Sequence, residues 1–571
     1  MFDFILQRLT GRELAAALAL VGALLLAWFF PRLGERLFGE IERFGSRLAR
    51  KKGLAIVALA LLPILVRLSL LPLIPVPVPH AHDEFSYLLE ADTFATYRLT
   101  NPPHPMWIFL DTVHVNQLPT YMSKYPPAQG AILAVGQVIG SPWIGVLLSV
   151  GIMCGSVLWM LQGWMPPTWA LLGGVLVVLR VAIFSYWMNS YWGGAVPAIG
   201  GALVLGSLPR IIHSLRIRYA VVMGIGVAVL MNSRPFEGLM LCVPAAIFLT
   251  NWIFSQRSPS LSITLRRLVL PLCILLALSF GFVAYYNWRG TGNILTTPYV
   301  LNERVYWSTP TLLWEKLRPP IHFSNSQFEA FYNGWARELW LQTNSGGARS
   351  IVAHAVSVVA KFVYFFIWPE LCVLLIAFSG VLRDKRVQFL TVEAGFCFIT
   401  FLSIAWSQPH YAAAVMATTF GLITQAMRHL RRWEFKGKSV GIGLTRAVIA
   451  FAVIMAPFHP HSATLKRSTP SGIEYRALIG AQLDCSPGNH LVIVRYSPQH
   501  GPLAEWVYNR ADIDHAKVVW AREIPGLSVG PLLDYFAGRQ IWLVEPDSTA
   551  PHLIRYERAS QHSVYGQSAN N

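Results

Sequence analysis

The chain has 571 residues, of which 54% are apolar and only 13% charged, and its mean hydropathy is +0.45. A soluble chain is about a quarter charged, so this composition excludes a disordered, collagenous or disulfide-scaffold protein and indicates a polytopic membrane protein. Lys and Arg number 46 against 29 Asp and Glu, a net +17, which in a soluble chain would suggest nucleic acid.

A spanning helix needs about 20 mainly apolar residues. In chain order the sequence predicts spans near 13–30, 54–75, 143–163, 167–185, 194–208, 219–233, 238–255, 268–287, 365–382, 388–406, 410–427 and 440–457. The runs 194–208 and 219–233 are short, and 128–140 reads as interfacial or re-entrant. The stretch 347–364, with His354 and Lys361 in an apolar run, reads as an amphipathic helix along the membrane face. The first run ends in Phe29-Phe30-Pro31-Arg32, not in a small-residue cleavage site, so no cleavable signal is predicted. Five cysteines (Cys154, Cys242, Cys273, Cys372, Cys397) lie in apolar runs, Cys485 stands alone, and no CxxC pair supports a zinc site or disulfide framework.

The charge is unevenly placed. Segments around 32–52, 210–218, 257–267, 383–386 and 428–438 hold 21 Lys and Arg against five acids, and all fall on one side if the spans alternate. The positive-inside rule makes that side cytoplasmic. The surplus therefore orients the protein, and no aromatic interleaving points to a nucleic-acid partner. The other side receives the loops 76–142 and 288–364 and the tail.

The tail, 458–571, changes texture. Leu491–Arg495, Lys517–Trp520 and Gln540–Val544 read as buried strands and Pro531–Gly538 as a short helix, so a small α/β domain outside the membrane is predicted, with 561–571 frayed. The expected organisation is 1–52 as an anchor helix and basic segment, 53–457 as a multipass membrane domain, and 458–571 as the external domain.

The loop after the second span is the most informative stretch. It reads His80-Ala81-His82-Asp83-Glu84-Phe85-Ser86-Tyr87, then Asn101-Pro102-Pro103-His104-Pro105, then Ser123-Lys124-Tyr125-Pro126-Pro127. Adjacent acids directly after an apolar helix suit either general-base duty or the first turn of a solvated helix. This Asp-Glu pair opening the first large external loop, with Lys-Tyr-Pro-Pro about 40 residues later, then multipass helices and an α/β tail, resembles the GT-C superfamily of membrane glycosyltransferases. The branch in question holds the protein O-mannosyltransferases and the lipid A aminoarabinose transferases. The likeness covers 54–457 in architecture and is specific only in 80–130.

The resemblance implies a GT-C-like fold of about 11–13 transmembrane helices with a small C-terminal α/β domain. It implies transfer of a sugar from a polyprenyl-phosphate donor to a hydroxyl of a lipid, glycan or protein acceptor at the outer membrane face. On that footing Asp83 is the general base, Glu84 its partner in orienting the loop or acceptor, and Lys124 the donor-phosphate lysine. A Tyr separates Lys124 from the Pro pair, which leaves the register open.

Short external connections add candidates. Ser233-Arg234-Pro235-Phe236-Glu237-Gly238 offers Arg234 as a phosphate fork, or as a snorkelling Arg paired with Glu237. Arg289, at the start of the second large loop, reads as a phosphate ligand or an interface anchor. His410, in Gln408-Pro409-His410-Tyr411, reads as a phosphate contact or a turn residue. His82, Tyr125, Tyr191, Trp192 and Tyr411 would line an acceptor or sugar pocket, although 186–194 also fits an aromatic belt facing membrane lipids. Arg67 and Arg180 lie inside predicted spans and are either functional or snorkelling. His80 and His82 on an extended segment, with His104 or His114, leave a divalent metal open, but no metal ligand set is assigned. A multipass transporter or lipid flippase, and a non-catalytic envelope scaffold, are the rival readings.

Overall fold

The computed structural model describes residues 11–255, 259–367, 371, 376–458 and 472–556. The predicted frayed end 561–571, together with Arg257 and Cys372, lies outside these residues. The molecule is mostly helical, and seven helices are long and apolar enough to cross a membrane: Lys52–Ser69, Pro142–Trp164, Ala195–Ser214, Pro235–Ile253, Leu261–Thr291, Ala348–Phe366 and Val440–Phe458. Shorter apolar helices, Ala17–Phe29, Ala128–Ile139, Pro167–Ala182, Ile217–Met231 and Gln388–Phe401, fill the gaps between them. The Leu261–Thr291 helix turns Leu270, Ile274, Leu278 and Phe280 outward, more than half exposed. A continuous apolar face of that kind is stable against lipid, not water.

Helix ends follow local chemistry. Pro142, Pro167 and Pro235 open their helices, where the missing N–H is an orphan anyway. Ser141 caps one of them by accepting from the Trp143 N–H. The helix expected at 347–364 is present as Ala348–Phe366, and by length and composition it is also apolar enough to cross a membrane. His354 and Lys361 do not break its apolar character, because Lys361 Nζ reaches back to the Ser407 carbonyl at 3.2 Å. The span predicted at 365–382 falls partly outside the described residues; within them it is the end of that helix and the short helix Phe378–Leu382. The predicted span 410–427 begins as a tight 3-10 turn, Pro409–Val415, before the helix Met416–Arg431.

Neither Arg67 nor Arg180 snorkels. Arg67 is fully buried, donating to Asn189 Oδ1 at 2.7 Å and to the carbonyls of Ile74 and Pro75 at 2.9 and 2.8 Å. Arg180 donates to the carbonyls of Phe365 and Tyr364 at 2.9 and 2.8 Å. Both satisfy carbonyls that lipid could not hydrate.

Two sheets stand outside the helical body. In the first, β1 (Val115–Asn116) pairs antiparallel with β2 (Met122–Ser123), Val115 opposite Ser123. In the C-terminal domain, β3 (His490–Val494) lies between β4 (Val518–Arg522) and β5 (Gln540–Val544), parallel to both, and a short β6 (Ile554–Arg555) runs antiparallel to β5. The helix Ile473–Cys485 precedes this sheet and Gly530–Tyr535 lies between β4 and β5. The three core strands lie where the sequence predicts them, and β3 is buried along its whole length.

Candidate active site

The helix His82–Ala95 is the platform of the site. Glu84 closes its first turn, Oε1 accepting from the His80 and Ala81 N–H groups at 3.0 and 3.1 Å. Its other oxygen accepts the Tyr191 N–H at 2.9 Å, across to the aromatic loop 186–194. Burial pushes Glu84 up to about 7 against the pull of these three N–H groups. Both oxygens of Glu84 are therefore engaged with backbone. Nearly two turns on, Glu90 accepts from the Tyr286 hydroxyl and the Gly130 N–H at 3.1 and 3.2 Å. Gly130 has no side chain to spare here, since a Cβ would run into the Glu90 carboxylate.

The β1–β2 hairpin packs on this helix. Ser86 Oγ donates to the His114 carbonyl at 2.7 Å and lies 2.8 Å from Ser123 Oγ. The Lys124 N–H donates to the same carbonyl at 3.2 Å. The hairpin register thus sets His114 and Lys124 side by side just beyond the paired strands. The next residue, Tyr125, stacks on Tyr87 at 4.5 Å and donates its hydroxyl to Asp83. Asp83, partly exposed at the helix start, is held by this one side chain.

Lys124 is 3% exposed. Its ammonium lies over the rings of Tyr299, Trp307 and Tyr125 at 4.9, 4.9 and 5.3 Å. No hydrogen bond or ion pair to a carboxylate or carbonyl reaches it among the described residues. Burial brings its pKa down from 10.5 to about 8, partly opposed by the charges of Asp83 and Glu303. An ammonium so placed is poorly satisfied by protein and suits an anion.

Arg234 precedes the helix Pro235–Ile253, its guanidinium 4.4 Å from the Tyr411 ring. Glu237 lies 3.6 Å away, an ion pair too long for a good hydrogen bond, so the planar fork keeps donors for a ligand. His410 sits beside it, Nδ1 3.0 Å from the Tyr186 hydroxyl and its ring 4.7 Å from Trp192. Gly201 seats this turn, because a Cβ there would strike the Ala414 carbonyl.

Asp83, Lys124, Tyr125, Arg234 and Tyr411 therefore converge; the charges of Asp83 and Arg234 both act on Lys124 and on Tyr411. Tyr191 enters through its backbone and sends its hydroxyl to the Pro77 carbonyl at 3.0 Å, and Trp192 backs His410. Arg289 is exposed on the last turn of its helix, with no hydrogen bond or ion pair to this cluster among the described residues. His82 turns away from Asp83 into the C-terminal domain. Its Nε2–H donates to the Pro502 carbonyl at 3.0 Å, so Nδ1 accepts from the Tyr508 hydroxyl. His80 is exposed and His104 faces Asp514 at 3.1 Å. The histidines thus diverge, and no group of three or more His, Cys, Asp or Glu gathers to hold a metal among the described residues.

Sequence reasoning missed Tyr87, Tyr299, Glu303 and Trp307. The last three sit in the helix Pro298–Tyr306 and just beyond it, capped by Thr297 and opened by Pro298. That cap is legible as a helix start, but nothing in it points to Lys124.

The C-terminal domain closes over the platform. Tyr508 stacks flat on Phe85 at 4.0 Å, Arg476 lies over Phe85 at 4.9 Å, and the Ala511 N–H donates to Asp92 at 2.8 Å. Arg522 pairs with buried Glu505 and donates to the Asp111 carbonyl at 2.9 Å.

No family model matches the sequence, and no curated protein matches it. Several solved structures are similar. The oligosaccharyltransferase of Archaeoglobus fulgidus, tethered with an acceptor peptide, is 14% identical with a TM-score of 0.44 over 80% of this chain and 63% of that one. ArnT from Cupriavidus metallidurans, bound to undecaprenyl phosphate, is 11% identical with a TM-score of 0.47, over 86% and 92% of the two chains. The arabinofuranosyltransferase AftD from Mycobacteria is 13% identical with a TM-score of 0.39, over 86% and 35%. The chain spans a little under two thirds of the length of the oligosaccharyltransferase it is similar to.

Proposed function

We propose that the chain is a membrane glycosyltransferase that moves a sugar from a polyprenyl-phosphate donor to an acceptor hydroxyl at the outer face of the membrane. The observation that carries this reading is the Lys124 ammonium, buried among aromatic rings without an ion pair among the described residues and within the field of the Asp83 charge. A cation kept dehydrated and unpaired has its use in an anionic ligand, and a carboxylate beside it supplies the base.

In this reading Asp83 takes the proton of the acceptor hydroxyl while that oxygen attacks the anomeric carbon. The bond from the anomeric carbon to the phosphate oxygen breaks, and the leaving phosphate gains charge against Lys124 and Arg234. Tyr125 aims Asp83, and Glu84 acts one step back by fixing the helix start and the loop that carries Tyr191 and Trp192. The displacement inverts configuration and needs no covalent intermediate. The basic segments, on the cytoplasmic side by the positive-inside rule, leave these residues on the outer side. That placement suits a bacterial envelope enzyme with periplasmic or extracellular chemistry.

The test is reconstitution of the full chain in liposomes with radiolabelled undecaprenyl-phosphate hexoses and envelope lipid, glycan and protein acceptors. Label should pass to one acceptor pool and be lost in Asp83→Asn. Labelled lipid moved across the bilayer without transfer would establish a flippase instead and overturn the enzyme reading.

A further inference from the structure

More than nine in ten buried polar groups in a folded protein find a partner. Here a group of the exceptions lies along one seam. Among the described residues, His114 Nδ1, Gln117 Oε1, Asn302 Oδ1, Trp307 Nε1 and Thr309 Oγ1 are all buried without a hydrogen-bond partner. They belong to two facing segments, 114–117 and 302–309. Asn302 Nδ2 donates to Asn116 Oδ1 at 3.0 Å across this seam, and the His114 and Trp307 rings lie parallel within 4°, 6.0 Å apart. Lys124 Nζ stands 4.9 Å from the same Trp307 ring. The seam therefore begins where the unpaired cation ends.

His114 is unusual in two further respects. It is 6% exposed, and its buried Nδ1 has no hydrogen-bond partner among the described residues. It also holds a left-handed backbone at φ 66°, which a His adopts only at some cost. Its carbonyl is fixed there by Ser86 and Lys124, so the hairpin presents this ring deliberately beside the cation. Burial, aided by the Lys124 charge, holds the imidazole well below its usual range, which makes it a neutral group with one donor and one acceptor nitrogen. The indole N–H of Trp307 only donates. A hydroxyl both donates and accepts, and it matches this pair without bringing charge into the seam.

We propose that His114 and Trp307 form the recognition subsite for hydroxyl groups of the transferred sugar, which is an uncharged polyhydroxyl sugar and not an acidic one. The inference rests on the donor reading above and extends it from the phosphate to the sugar. The phosphate lies against Lys124 and Arg234, and the sugar ring reaches from it into the seam.

The test uses the reconstituted full chain with undecaprenyl-phosphate glucose, mannose and galactose, then with monodeoxy analogues of the hexose that reacts fastest. A buried site built to hydrogen-bond a hydroxyl rejects the analogue that lacks it by about 10²-fold or more in kcat/KM. At least one monodeoxy donor should show that penalty with the wild type. Trp307→Phe keeps an aromatic ring in the stack and removes the N–H with its five-membered ring; His114→Asn tolerates the left-handed backbone and removes the imidazole. In one or both variants the penalty for that same analogue should shrink at least tenfold, with binding of sugar-free undecaprenyl phosphate unchanged. An equal deoxy penalty in wild type and both variants overturns the subsite while leaving the glycosyltransferase reading intact. Faster use of an undecaprenyl-phosphate uronic acid than of any neutral hexose overturns the assigned sugar class. A wild type that transfers from no donor overturns the function and the subsite together.

Discussion

Two sets of buried cations divide the molecule. In the membrane body, Arg67 and Arg180 end on amide and carbonyl oxygens between 2.7 and 2.9 Å, and each ties helix to loop or helix to helix. In the candidate site, Lys124 meets ring faces without a hydrogen-bonded oxygen among the described residues, and Arg234 has a carboxylate at 3.6 Å. Charge buried at similar depth thus serves opposite ends. Where its hydrogen bonds are complete it is a fastener, and where they are left open it is, in the proposed function, the seat of the donor phosphate. The distinction is sharper than burial or charge alone, because it asks where each donor goes.

The comparison can be broken by substitution. Asp83→Asn should lower kcat by about 10³-fold, within the usual contribution of a general base, with binding of undecaprenyl phosphate retained; unchanged turnover in the liposome assay removes Asp83 from the base role. Arg67→Met should cost about 3 kcal/mol of stability, because it strips partners from buried carbonyls, and should leave donor KM alone. Thermal unfolding in detergent measures the first, and a donor-specific defect without loss of stability would erase the division between the two sets.

The Lys124 titration sharpens the same point. With its pKa brought down to about 8, donor kcat/KM should fall by about tenfold per pH unit above that value as the ammonium is lost. Lys124→Arg, charged throughout, should flatten the profile. Stability runs the other way: the folded chain holds fewer protons than the unfolded one between about 8 and 10.5, so Lys124 favours folding more as pH rises through that window. A donor profile flat through pH 8 to 10 in the wild type would deny Lys124 its role. The smallest effect should be that of Tyr508→Phe, which keeps the stack on Phe85 and leaves one buried nitrogen of His82 unpaired. It should cost about 1 kcal/mol in thermal unfolding, and no measurable change would show that the hydroxyl is dispensable to the join.

Much of this architecture was legible in the sequence because it is written in local periodicity. The apolar runs marked most of the helices, and Leu491–Arg495 and Gln540–Val544 announced themselves as strands between turn residues. The Asp-Glu pair after a proline-rich helix end and the Lys124-Tyr125 step point to the loop whose side chains converge in the candidate site. What escaped depends on contacts far apart in the chain. Tyr299 and Trp307 meet Lys124 only after the second large loop folds back on the first, and no pattern near either segment records it. His82 looked like half of a metal pair, yet its two nitrogens are committed to Pro502 and Tyr508. The helix Ala348–Phe366 is legible as a helix, but His354 and Lys361 mask that it is long and apolar enough to be a span. Arg67 and Arg180 could be noticed as charges in apolar runs, but the carbonyls that receive them lie at helix ends set only by the final packing.

The contact between His82 and Tyr508 joins residues 426 positions apart. On a ribosome working at about 5–20 residues per second, the start of the Asp83 helix is therefore made well before the residue that covers it. Until the C-terminal domain has been synthesised and has docked, Phe85 and His82 lack their partners and the end of the helix that bears Asp83 is uncovered. A later-made segment thus covers an earlier-made one, and a chain stopped before Pro502 leaves His82 and Phe85 without these partners.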